Sequence, residues 1–556
     1  MPLDAEGPPA PDPKLQDFSQ LRAYLQRGRV AWRESPSGVC EELRCEEGRG
    51  DPRPFPLRRV WAVGAPRFHA LLESRFRDQL RQHATSALKE RDPRASAHRV
   101  LTPNQALFLV AVLVGAVAAF AFHPLATLIA INGAATAYFM AVIGFRFYLA
   151  AIALNLTESR RDPPMLAEDE LPIVTILLPL FREAHAIPAL LSAVGRLDYP
   201  PEKLDVKLLL EESDGETLAE ARKIAGERFQ IMVIPPSHPQ TKPKACNYGL
   251  YCARGRLIVV YDAEDQPEPD QIRKAAAAFA AGGDDLACVQ ARLNFYNADE
   301  NWLTRLFTLE YSLWFDSLLP ALEHLRAPIP LGGTSNFFRT DALLELGGWD
   351  PYNVTEDADL GLRLARRGWR TAIIDSTTFE EANCELANWL RQRSRWMKGY
   401  IQTWLVHMRA PFAARARAGW RGFASAHLFV AGNAFSALIN PFLWSLFVYW
   451  LFTRSEGVDA LFPGFLLHLN LFALLFGNFL FIYLAMVAPL RRGWPQLALS
   501  AILIPVYWWL SSLAAYRALG QLATRPFFWE KTEHGLSAEA KARRAAALRQ
   551  SHGHVC

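Results

Sequence analysis

The sequence predicts an α/β domain with a mostly parallel sheet, set between transmembrane α-helices and preceded by a small helical N-terminal module. Three observations carry this. Short β-rich runs alternate with helical patterns between residues 170 and 265. Long uncharged apolar runs flank that region on both sides. Carboxylate-rich motifs close the β-runs, at the strand ends where open α/β sheets bind ligands.

The bulk composition fits a mixed chain. At 556 residues it exceeds one ordinary domain, and 51% of it is hydrophobic. A net charge of +4 is too weak for a nucleic-acid partner, which needs a concentrated basic face. The seven cysteines form no paired CxxC pattern and no disulfide framework. Cys246, Cys252 and Cys288 fall in the α/β stretch, which suits a reducing cytosol. Residues 1–20 are polar and proline-rich, so no cleavable signal peptide is expected.

Residues 1–30 read as disordered, with Pro2, Pro8, Pro9, Pro11 and Pro13 close together. Phe68, Leu71, Leu72, Phe76 and Leu80 then recur at helical spacing, so residues 1–100 are expected to hold a mostly helical cytosolic module. The runs 106–122 and 125–145, split by His123-Pro124, predict a membrane hairpin within residues 101–156. Residues 173–179, 206–211, 230–235 and 257–262 are the β-runs of a domain over 165–380. Residues 386–408 place Trp389, Leu390, Met397, Ile401 and Trp404 on one helical stripe, with Arg391, Arg395 and Lys398 away from it. That pattern predicts a helix in the membrane interface, within a segment 381–421. Runs at 424–453, 460–490 and 494–516 predict spans within 422–520, and Arg491-Arg492 mark a cytosolic link. Residues 521–556 form a tail.

The motifs gain meaning from their order. Asp262 and Glu264 end the strand-like run Leu257–Tyr261, where both can face Mg2+ or Mn2+ and share it with substrate phosphates. Glu211, Glu212 and Asp214 end the preceding run, placed to accept hydrogen bonds from a base or ribose; from these residues alone a solvated acidic loop is the favoured reading. Lys242, Lys244 and Asn247 open a helix whose start suits phosphate oxygens. Asp357, in Thr355-Glu356-Asp357, is by spacing a helix cap first and a general base second. In Gln392-x-x-Arg395-Trp396 three side chains share one helical face, with a cation for diphosphate and an indole for a sugar ring. Phe527–Gly535, just past the last apolar run, offers Trp529, Lys531, Thr532 and His534 for a lid over a nucleotide.

Together these motifs resemble the processive, membrane-embedded family 2 glycosyltransferases, the group of cellulose, hyaluronan and poly-N-acetylglucosamine synthases. The resemblance covers about residues 105–535. It implies a GT-A-like (Rossmann-type) catalytic domain, with Asp262 and Glu264 as metal ligands and Asp357 as catalytic base. It implies nucleotide contacts from Glu183, Glu211, Glu212, Lys242, Asp262, Gln392, Arg395, Trp396 and Lys531, acceptor contacts from Glu356 and Trp396, and a gating loop at Trp529, Lys531, Thr532 and His534. Glu264 and Glu211-Glu212 stand where aspartates are usual in the family, and no cyclic-dinucleotide-binding domain is recognisable at the C-terminus.

The resulting expectation is inverting transfer from a nucleotide-sugar, a UDP-sugar by preference, to a growing polysaccharide at the cytosolic face of the inner membrane, coupled to export. The partners expected are the donor, the acceptor polysaccharide, the lipid bilayer and export proteins, with no nucleic acid. A transferase of single sugars to polyprenyl phosphate and a non-enzymatic export subunit are the alternatives. One conflict stands. Two spans before the domain and three after it put Phe527–Gly535 across the membrane from the site it would gate, unless 424–453 or 494–516 fails to span.

Overall fold

The computed structural model describes residues 8, 10–34, 40–45, 59–156, 163–226 and 228–542. The catalytic-domain candidate is built on an eight-stranded sheet: β4 (Val174–Leu180), β5 (Leu204–Glu211), β6 (Phe229–Ile234), β7 (Leu257–Val260), β8 (Gln266–Pro267), β9 (Leu286–Phe295), β10 (Asn336–Arg339) and β11 (Arg370–Glu380). Their order is β6-β5-β4-β7-β10-β9-β11-β8. β6, β5, β4 and β7 run parallel, β10 is antiparallel to both its neighbours, and β11 is parallel to β9. Helices cover both faces, which is why β4 and β5 read as near-continuous apolar runs rather than alternating ones. A buried ion pair, Asp205 and Lys207, interrupts β5. Lys207 is fully buried, and Asp205 at 3.1 Å and Gln230 at 2.7 Å satisfy it. The result is the GT-A-like mixed sheet that the sequence predicts.

The N-terminal module departs from expectation. Within residues 1–30, taken as disordered, two short 3-10 turns and the helix Leu21–Arg27 form, and strand β1 (Arg29–Glu34) begins. β1 pairs with β2 (Cys40–Cys45), and β2 with β3 (Arg59–Val63), so the helical module also carries a three-stranded sheet. Val30 and Trp32 alternate inward, and burying them outweighs the local polarity that suggested disorder. The proline-rich residues 1–7 and 9 lie outside the described residues. The helices Ala65–Arg75 and Arg77–Arg91 bury Phe68, Leu72, Phe76, Leu80 and Ala84 in one apolar core with Tyr248 and Leu250 of the catalytic domain. The approach is close: at Gly347, whose φ is +81°, a Cβ would come within 3.2 Å of the Leu88 backbone.

Among the described residues, five helices are long and apolar enough to cross a membrane: Pro103–Phe122, Pro124–Leu156, Gly419–Thr453, Phe465–Arg492 and Pro495–Thr524. The last lies alongside the helix Leu386–His407, which packs on the catalytic domain. Tyr507 receives a 2.6 Å hydrogen bond from Arg393, and beyond the helix Pro526 accepts one from Gln402 at 2.9 Å. The cations of Leu386–His407 also differ from the expected headgroup-facing set. Lys398 is fully buried and donates to the Phe528 carbonyl at 2.7 Å, and Arg393 is 5% exposed. Their face packs against protein, because the 495–524 helix and the segment after it supply carbonyls and rings there.

Candidate active site

Strand ends converge where the sheet meets the Leu386–His407 helix. β4 delivers Glu183, β5 Glu211, β7 Asp262 and Glu264, and β11 Glu380. The helix Glu356–Arg366 adds Glu356 and Asp357 in its first turn, and Leu386–His407 adds Gln392, Arg395 and Trp396. All of these line one cavity of about 1040 Å3, together with Lys242, Trp529, Lys531, Thr532 and His534. Of the site residues expected from sequence, Glu212, Asp214, Lys244 and Asn247 stand outside that lining.

The carboxylates around β7 are crowded. Lys242 Nζ meets Asp262 Oδ1 at 2.5 Å and donates to the Gly333 carbonyl at 2.7 Å. Asp265 is 1% exposed, takes the Asp262 N–H at 2.6 Å, and leaves its Oδ1 without a protein partner. Burial, then Asp262 and Glu264, hold the Asp265 carboxyl well above its ordinary range. Glu380 is pushed up by burial and then by Asp265, Glu264 and Asp262. Sequence reasoning missed Glu380, although it ends a strand as Glu211 and Asp262 do. His534 Nδ1 sits 2.8 Å from Glu264 Oε1.

Clustered hard-oxygen donors, with an orphaned Oδ1 on Asp265, fit a divalent cation chemically. Among the described residues no set of three or more His, Cys, Asp or Glu side chains converges as a metal cage. The donor set therefore suits an ion that completes its shell with phosphate oxygens, as Mg2+ commonly does.

At the base end of the site both carboxylates are already engaged. Glu211 pairs with the fully buried Lys244 at 2.8 Å, and Glu212 pairs with Arg77 of the N-terminal module at 2.8 Å. Asn247, expected near phosphate, instead donates to the carbonyls of Ala84 and Trp349. Its place is structural.

Asp357 and Glu356 are pushed apart by their surroundings. Burial raises Asp357 to about 6, opposed by the Ala358 N–H and then by Lys242 and Arg395. Burial and then the neighbouring Asp357 raise Glu356 to about 8. The capping reading does not hold in its simple form: the N-cap is Thr355, whose side chain caps no N–H, and Asp357, inside the first turn, accepts the adjacent Ala358 N–H at 2.7 Å through Oδ1. Its other oxygen faces Gly333, where a Cβ would lie 3.3 Å away. Arg395 lies under the Trp529 ring at 4.6 Å, and Trp396 stacks on Tyr311 at 6.2 Å.

The C-terminal segment crosses this site. Lys531 donates to the carbonyls of Phe181 and Arg182 and lies 3.4 Å from Glu183. Asn388 donates to the Glu533 carbonyl at 2.7 Å, and the Ser537 N–H donates to Glu381 at 2.6 Å. Thr532 is 2% exposed with its hydroxyl unpartnered by protein. The segment is thus on the same side as the α/β domain.

Residues 257–512 match the family model for glycosyl transferase family group 2. That stretch contains Asp262, Glu264, Asp357 and Gln392–Trp396. Glucomannan 4-beta-mannosyltransferase 1 of Oryza sativa subsp. japonica is 27% identical over 277 residues, 46% of this chain and 53% of that protein. Glucomannan 4-beta-mannosyltransferase 2 of Arabidopsis thaliana is 28% identical over 256 residues, 44% and 47% of the two chains. The chain spans about half the length of these curated relatives. Among solved structures, the mannosyltransferase PcManGT of Pyrobaculum calidifontis, in complex with GDP-Man and Mn2+, is similar with a TM-score of 0.47 at 17% identity, over 71% of this chain and 99% of that one.

Proposed function

We propose that this chain, whose residues 257–512 are those of a family 2 glycosyl transferase, moves a hexosyl unit from a nucleotide-sugar to a growing polysaccharide with inversion. Asp357 takes the proton of the acceptor hydroxyl as its oxygen attacks the anomeric carbon. Lys242 and Arg395 offer fixed positive charge to the departing nucleoside diphosphate. A divalent cation, Mg2+ or Mn2+, held at Asp262 and Glu264 would neutralise further charge on that leaving group. Trp529 and Lys531 close the site against water.

The observation that carries the polymer reading is the continuity of the cavity. Beyond Trp396 and Tyr400 the same space runs on between the apolar helices, lined by Asn433, Trp444, Trp450, Asn470 and Gly477. Amides and aromatic rings in a membrane-level passage suit a hydroxylated chain that slides, and a path of this length exceeds what one lipid-linked sugar needs. The packing of 495–524 against Leu386–His407 supports an interfacial place for that helix. Four spans then remain, and they keep Phe527–Gly535 on the catalytic, cytosolic side of the inner membrane. The relatives' names set a mannosyl donor beside the UDP-sugar expected from sequence.

The test is incubation of purified protein with UDP- and GDP-sugars and Mg2+ or Mn2+, reading nucleotide release and product size. Release with a product of many units supports the reading. Release with a single-sugar lipid product, or none from any donor, overturns it.

A further inference from the structure

We propose that Glu310 is a further acceptor-binding residue, holding a sugar unit of the nascent chain where the catalytic cavity narrows toward the membrane helices. The inference rests on the polysaccharide reading above and deepens it.

Glu310 lies on the helix Trp302–Leu313, outside every motif the sequence offered. Its side chain lines the cavity and is 36% exposed. Behind it the carboxylate is fixed. Arg393 Nη1 donates to Oε1 at 2.7 Å, Arg393 Nη2 donates to Oε2, and the Tyr507 hydroxyl donates to Oε2 at 2.7 Å. A carboxylate offers about four lone-pair sites. Three are used from the protein side, so at least one on Oε1 remains for a donor in the cavity.

The surroundings suit a carbohydrate. Trp396 and Tyr311 form a stacked aromatic wall in the same cavity, and the Arg393 guanidinium backs the Trp396 ring at 4.9 Å. An aromatic face for the apolar side of a sugar ring, next to a carboxylate for its hydroxyls, is a complementary pair of contacts. Arg393 itself is buried and faces four rings. It and Tyr507 are positioning residues that aim Glu310 and Trp396 at one space.

The experiment compares the full chain in detergent with Glu310→Gln, using the sugar nucleotide the parent turns over. Sugar incorporated into polymer and sugar released free by hydrolysis are measured separately. Losing a charge-assisted hydrogen bond to the acceptor should cut incorporation roughly tenfold or more. The share of donor lost to water should rise, products should shorten, and the donor KM should stay within about twofold. Incorporation and hydrolysis falling together, or incorporation unchanged, overturns the proposal. Tyr507→Phe retains the ring packing and removes one of the bonds that hold Glu310. It should show the same split at smaller size, and absence of that split counts against the proposal even where Glu310→Gln does not fold. A parent that releases no nucleotide from any donor defeats the transferase reading instead.

Discussion

Asp357→Asn replaces the proposed base with an amide of the same shape. The two carboxyls of the Glu356-Asp357 pair are pushed to about 8 and about 6. At pH 7 Asp357 is then mainly ionised and Glu356 mainly protonated. One group can take a proton while its neighbour donates a hydrogen bond, which is how environments divide acid from base roles. The ionised fraction of Asp357 grows as pH rises through its raised value. Turnover of the parent should therefore climb about tenfold per pH unit below about 6 and level off above it, the limb belonging to the pair as a whole. Asp357→Asn should lose roughly 100- to 10,000-fold in kcat and lose that acid limb. Glu356→Gln, an isostere of the protonated acid, should lose less than about tenfold. The assay is nucleotide release at saturating donor from pH 5 to 8, with donor binding followed separately by calorimetry. Near-normal turnover in Asp357→Asn, or an unchanged acid limb in that variant, refutes the base assignment.

Three further outcomes are expected. Asp262→Ala should abolish metal-dependent donor binding, because one of few hard oxygen ligands is removed, and chelator should do the same to the parent; full activity in excess chelator counts against a metal site. Truncation after Thr524 should cut turnover sharply while the remaining chain stays folded, and a cysteine at Glu533 should resist an impermeant thiol reagent added outside intact cells. Gly333→Ala places a methyl 3.3 Å from Asp357 Oδ2 and should lower kcat about tenfold with little change in melting temperature; unchanged kcat would mean that the base is free to move aside.

The placement of the cavity's side chains was largely legible because it is local. A β-run followed by carboxylates puts those carboxylates at a strand end whatever the rest of the chain does, as Asp262 and Glu211 show. Glu380 follows the same rule, but its strand mixes Thr, Ser and Asp and hides it. The polar face of Leu386–His407 was not legible, because periodicity separates apolar from polar faces and is blind to what covers each. Lys398 looks solvated in sequence and is buried only because the Phe528 carbonyl reaches it. The apolar run 494–516 had the same ambiguity, since hydropathy measures length and composition and not the packing partner. Glu310 carries no signal at all, as its role depends on Arg393 and Tyr507 from two other helices.

The shared core of the N-terminal module and the catalytic domain has a consequence for biogenesis. The apolar face of Phe68, Leu72, Leu80 and Ala84 leaves the ribosome well before Tyr248 and Leu250, the groups that cover it. About 160 residues separate the two, roughly 10 to 30 s of synthesis at ~5–20 residues per second. In that interval the hairpin of Pro103–Phe122 and Pro124–Leu156, long and apolar enough to cross a bilayer, is also made. A nascent chain with its first folding unit unfinished would be open to capture by chaperones at that stage. Docking can follow only if the hairpin returns the chain to the side it left, so completion of this core acts as a proofreading step on how the first two helices were inserted.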